Sequence, residues 1–234
     1  MVAVTLGMLG AAVVGPLLAR AARRWSRAQA ARPPGILAVS LVTGLVFGLT
    51  AWRLGWSWQL APVLVGAAGI VTVAAVDAAC RRVPTGFVVR CGAATLATAV
   101  VASAWSGTWQ PLAAAGVGAG AYGGGLTVVH LVAPSGLGGG DVRLAWLVGA
   151  VVGWTSASAS ASGRTADVDA GFAAPALSAV WAVWAAVLLS TGIGLATHGV
   201  VALRHNRREG APRTLPFGPA LGVGALVVLL SQPT

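Results

Sequence analysis

The chain contains no lysine, one tyrosine, two cysteines and only five carboxylates. Charged residues make up 9% of it, against about 25% in a soluble domain, so a water-facing surface cannot be assembled from this composition. Two cysteines exclude a disulfide scaffold, and 33 glycines without a three-residue period exclude collagen. Disorder needs low hydrophobicity and high charge; here 57% of residues are hydrophobic and mean hydropathy is +0.83. A polytopic helical membrane protein remains. Its 234 residues, at roughly 20 per bilayer crossing, predict an all-α transmembrane bundle of about eight helices.

Apolar runs predict helices near 1–19, 36–51, 60–76, 87–104, 111–132, 142–158, 174–198 and 217–231. With the N-terminus outside, thirteen of the fifteen arginines fall in inner loops, leaving Arg53 and Arg164 outside. That asymmetry is the positive-inside pattern, and it replaces the nucleic-acid reading that a net charge of +10 would otherwise invite. Arg20, Arg23, Arg24 and Arg27 follow the first apolar run instead of preceding it, the order of an N-out helix and not of a cleaved leader. One membrane-embedded domain is expected over 1–234: residues 1–35 as a first helix plus a short basic cytoplasmic loop, and 36–234 as the rest of the bundle. Trp52, Trp56, Trp58, Trp105, Trp109 and Trp154 fall at outer helix ends, as an interfacial aromatic belt requires.

Gly116, Gly120 and Gly124 recur every four residues and predict a face for close helix packing. The stretch Thr155–Asp169 reads as a solvated, low-complexity outer loop, although its first residues tolerate a helical extension. Cys80 and Cys91 are expected as free thiols on the cytoplasmic side. His130 near the inner end of the fifth helix reads as bonded to backbone, and His198 and His205 as solvated.

Asp167, Asp169 and Glu209 lie in polar stretches, which leaves two acids to explain. Asp77 follows the apolar run Val63–Val76 directly, and Asp141 directly precedes Val142. An aspartate inside a bilayer costs roughly 2.5–3.5 kcal/mol on insertion scales, which makes such residues functional candidates. Both are predicted at one depth, the cytoplasmic ends of the third and sixth helices. Two carboxylates brought together in an apolar setting share a proton. One then activates water against a carbonyl, and the other supports the oxyanion and protonates the leaving amine, with no metal or cofactor. Helix capping, or pairing with Arg81, Arg82 or Arg143, is the plain alternative for either residue. The glycines before Asp141 allow positive φ and close backbone approach, and Pro84 predicts a helix end and turn over Asp77–Thr85.

Three blocks resemble the type 4 prepilin peptidases, the bacterial GxGD membrane aspartyl proteases. Asp77-Ala-Ala-Cys-Arg-Arg-Val83-Pro84 is similar to D-x5-[IV]-P, and Gly138-Gly-Gly140-Asp141-Val142-Arg143-Leu144 to G-x-G-D-[VI]-K-[LM]. Leu215-Pro216-Phe217-Gly218-Pro219 is similar to [IL]-P-F-G-P. Their order and spacing agree over roughly Val63 to Leu230. The resemblance implies an aspartic endopeptidase of the inner or plasma membrane. Such an enzyme cleaves the short basic leader of prepilin or pseudopilin precursors, after a glycine, at the cytoplasmic face. It implies Asp77 and Asp141 as the catalytic pair, with Pro84, Gly138, Gly140, Arg143, Pro216, Phe217 and Gly218 shaping the site.

Arg143 stands where the family usually has lysine, and Thr85 where Asn or Asp is usual. The cysteine-rich cytoplasmic domain that many members place between the first two helices is replaced by Arg20–Gly35, so no N-methyltransferase activity is expected. Val76 before Asp77 fits the presenilin-like branch, which has Tyr-Asp there, less well. The inner arginines are expected to meet anionic lipid headgroups. The alternatives from other classes are a transporter or channel, against which both acids lie at one face and not at midplane, and an inactive scaffold of a pilus-assembly complex.

Overall fold

A computed structural model describes residues 1–28, 34–80, 82–132 and 138–161. The described residues are helical and contain no strand. In chain order the helices are α1 (Val2–Arg27), α2 (Ile36–Leu54), α3 (Leu60–Cys80), α4 (Thr85–Ser106), α5 (Gln110–Val132) and α6 (Gly139–Ala161). The first five are long and apolar enough to cross a membrane, which fits a multi-pass membrane protein. The apolar runs expected near 174–198 and 217–231 lie outside the described residues.

Successive packed helices run in opposite directions: Gly7 and Gly15 of α1 meet Gly44 and Ser40 of α2, Gly66 and Gly69 of α3 meet Thr95 and Cys91 of α4, and Gly118 and Gly123 of α5 meet Gly149 and Trp146 of α6. Glycine ends two of them: Gly55 after α2 has φ 67° and Gly107 after α4 has φ 70°, values that cost glycine little and other residues more. One end of the bundle carries Trp52, Trp56, Trp58, Trp105 and Trp109, all exposed, together with Arg53. Trp58 and Trp105 meet there in a tilted pair, with ring centroids 5.4 Å apart and planes 51° to each other. The other end carries Arg20, Arg23, Arg24, Arg27, Arg82, Arg90 and Arg143, as well as both aspartates. Among the described arginines, Arg53 alone sits at the tryptophan end.

α1 corrects the expected basic loop. After a π-helical turn at Gly10–Val14 it continues through Arg20, Arg23, Arg24 and Arg27, because alanine and arginine are good helix formers and no proline falls between Pro16, in the first turn of that stretch, and Pro33. Gly15, Ala19, Ala22 and Ser26 form a buried stripe of small residues along this extension, while Arg20, Arg24 and Arg27 are exposed. Gly15 has no room for a side chain against Ser40 of α2, and Ala19 packs with Val39 and Val71.

The core is centred on α6, whose Leu144, Ala145 and Val148 are fully buried against α3, α4 and α5. α6 spans 23 residues and takes in Thr155 and Ser156, which are buried and helical instead of solvated. Their hydroxyls bond the carbonyls of Val152 and Gly153, each at 2.9 Å, so burial leaves those hydroxyls satisfied.

Among the described residues a Cβ at Gly116, Gly120 or Gly124 would meet nothing within 4 Å. α5 meets α6 by another face, where Ala114 and Gly118 meet the backbone of Gly153 and Gly149, and Gly123 meets the Trp146 ring. Gly149 and Gly153 on α6 complete the pattern, so a four-residue glycine spacing occurs on both helices and the partner's spacing decides which face is used. Trp154, expected in the exposed belt, is instead buried, with its indole N–H donating to the Gln59 carbonyl at 2.9 Å.

Candidate functional site

The Trp154–Gln59 bond fixes α6 antiparallel to α3 at the tryptophan end. Counting back at 1.5 Å per residue, Asp141 lies about 20 Å from Trp154 along α6, and Asp77 lies about 27 Å from Gln59 along α3. The two carboxylates therefore reach the same, arginine-bearing end of the bundle. They are near enough for the charge of Asp77 to act on Asp141.

Asp77 sits in the last turn of α3 and is 4% exposed. The helix continues past it to Cys80, one turn further than the apolar run alone predicts. Arg82 and Val83 then leave the helix, and Pro84 starts the next one as a buried N-cap in extended conformation. The Pro84 carbonyl accepts from the N–H groups of Phe87 and Val88 at 3.0 and 3.1 Å, so a residue with no N–H of its own opens α4. The expected helix end and turn over Asp77–Thr85 is found.

Asp141 is half-buried in the first turn of α6, outside the five candidate spans. The Gly138 carbonyl accepts from the N–H groups of Asp141 and Val142 at 3.0 and 3.3 Å, which begins the helix. The Gly138 N–H in turn donates to the Asp141 carboxylate, a reciprocal pairing like that of a capping box. Burial pushes the Asp141 carboxyl above the usual range and the Asp77 charge pushes it further, while the Gly138 bond opposes both. Burial and the Asp77 charge together favour the protonated form of Asp141.

The glycines of the second block act by clearance and not by positive φ. Among described glycines, φ is positive only at Gly55 and Gly107. A Cβ at Gly140 would stand 2.7 Å from the Val83 Cβ, at Gly138 3.0 Å from Asp141 Oδ2, and at Gly139 3.6 Å from the Arg143 guanidinium. The G-x-G pattern follows from that order: tight, loose, tightest. The contact of Gly140 with Val83 also joins the first and second blocks, and Val83 is the residue whose part the sequence did not reveal. Arg143 is exposed, and its Nη1 donates back to the Gly139 carbonyl at 3.1 Å. His130 lies in the last turn of α5, half-buried.

Asp77, Pro84, Gly138, Gly140 and Arg143 are thus gathered at one end of α3, α4 and α6. Pro216, Phe217 and Gly218 lie outside the described residues. Chemically, the gathered set provides two carboxylates in a partly water-excluded setting. No family model, no curated protein and no solved structure matches the chain.

Proposed function

We propose that this protein is a membrane aspartic endopeptidase that removes the short basic leader of type 4 prepilin-like precursors. The observation that carries the reading is the convergence of Asp77 and Asp141 from helices 64 residues apart in sequence onto one end of the bundle, with Asp77 acting on Asp141. In the reaction the ionised carboxylate takes a proton from water as its oxygen attacks the scissile carbonyl. The protonated carboxyl supports the oxyanion and gives its proton to the leaving amine, and water is added across the broken C–N bond.

In this reading the bundle has about eight helices with its N-terminus outside, and the arginine-bearing end faces the cytoplasm of the inner or plasma membrane. The clustering of described arginines with the aspartates, and of exposed tryptophans at the opposite end, supports that orientation. The test uses the full chain in vesicles with a precursor whose basic leader ends in glycine before an apolar helix. Wild type releases the leader, and Asp77→Asn and Asp141→Asn each abolish release while remaining folded in the membrane. Full processing by either single variant overturns the reading.

A further inference from the structure

Beside the aspartates, but on the lateral surface of the bundle, α3, α4, α5 and α6 enclose a recess of about 520 Å³. Arg143 stands at one end, and Pro62 and Trp154 line the other. The eleven residues from Arg143 to Trp154 along α6 make it about 16 Å long. Val89 and Leu96 on its α4 rim and Gly116 on its α5 rim are exposed, so among the described residues it opens sideways.

The wall is apolar because its polar groups are already bonded. The Thr95 hydroxyl donates to the Cys91 carbonyl at 2.8 Å, and the Trp154 indole N–H donates to Gln59. Arg143 differs. It is exposed, and its bond to the Gly139 carbonyl uses one of the five donors of a guanidinium. A positive group at the mouth of an apolar slot matches an amphiphile with an anionic head and a hydrocarbon tail.

The length of about 16 Å is what one acyl chain spans in a hydrocarbon core about 30 Å thick.

We infer that this recess is a binding site for one phospholipid, with its phosphate on Arg143 and an acyl chain lying between α4, α5 and α6. The site places an anionic headgroup two residues from Asp141 and offsets positive charge at a face that a basic substrate would have to approach. Lipid occupancy itself does not depend on the proteolytic reading.

Two glycines make the site testable without disturbing the fold. A Cβ at Gly92 or Gly116 would meet nothing within 4 Å, and both residues line the recess. A leucine at either position therefore projects into open space and fills the slot. The full-length protein is purified in mild detergent with phosphatidylglycerol or with phosphatidylcholine of the same chain length, and bound lipid is counted by native mass spectrometry. Wild type retains one phosphatidylglycerol per chain. Gly92→Leu and Gly116→Leu lower its retention about tenfold, while Ala97→Leu, exposed on the same helix outside the recess, retains it. Arg143→Gln reduces the preference for phosphatidylglycerol over phosphatidylcholine about fivefold.

Undiminished retention in both filled variants overturns the inference, as does wild type that retains no lipid. A photo-crosslinking side chain in place of Gly92 gives a lipid adduct; an adduct with residues 162–234 or with a second copy of the chain overturns it too.

Discussion

Gly140 lies against Val83 so closely that a Cβ on the glycine would stand 2.7 Å from the Cβ of the valine. This contact clamps the turn that opens α6 onto the segment that closes α3, and it sets where Asp141 sits relative to Asp77. Gly140→Ala has to push the two segments apart and costs about 1–3 kcal/mol as an overpacked site. Gly139→Ala meets only the flexible end of Arg143 at 3.6 Å and is neutral, or stabilising by up to about 1 kcal/mol from helix propensity. Thermal unfolding of the two variants in detergent checks the difference. Equal midpoints for both would contradict the clamp.

Asp141 gives stability a pH dependence of definite sign. Its carboxyl is raised in the folded protein by burial and by Asp77, so the native state holds the proton more tightly than the unfolded chain, whose aspartates titrate near about 3.9. The native state then binds more protons than the unfolded state across the window between those values, and stability falls as pH rises through it. The thermal midpoint of wild type therefore declines from the ordinary aspartate range upward to the raised value. In Asp141→Asn that decline is smaller. A wild-type midpoint that rises across the same window would contradict the burial of this pair.

Trp154 holds the far end of the α3–α6 pair through its bond to the Gln59 carbonyl. Trp154→Phe keeps a ring in the recess wall but removes the donor and leaves the buried end of the pair short of a bond. The expected cost is about 0.5–1.5 kcal/mol. Because the bond lies at the opposite end from the aspartates, the proposed leader cleavage is expected to persist in Trp154→Phe at temperatures below its unfolding transition, read from unfolding curves and precursor cleavage side by side.

The two glycine faces of α5 make opposite predictions. Gly118 faces the carbonyl of Gly149 with no space for a side chain, whereas Gly116 faces open space. Gly118→Ala forces α5 and α6 apart and destabilises by about 1–3 kcal/mol. Gly116→Ala stabilises by about 0.5–1 kcal/mol. Denaturation midpoints of the single variants measure both.

The helices and the two aspartates were legible in the sequence because their signals are local: long apolar runs, two acids beside them, and a proline seven residues beyond the first acid. The boundaries were legible only to within about a turn: the apolar runs stop at Val76 and start at Val142, whereas α3 reaches Cys80 and α6 starts at Gly139. Pairings between helices were not legible. Gly116, Gly120 and Gly124 present as good a small-residue spacing as the face that packs, and only the position of Gly149 and Gly153 on α6 distinguishes them. Trp154 looks like any interfacial tryptophan until Gln59, 95 residues earlier, is placed beside it. The basic stretch after the first apolar run was misjudged for a related reason, since charge marks the end of a hydrophobic span and says nothing about where the helix stops.

The buried stripe of Gly15, Ala19, Ala22 and Ser26 has a consequence for assembly. These residues leave the ribosome before α2 and α3, which cover them, because synthesis proceeds from the N-terminus. The first rod thus waits with an uncovered seam until its neighbours arrive, and the arginines that share it travel as a stiff, pre-spaced comb instead of a slack tether.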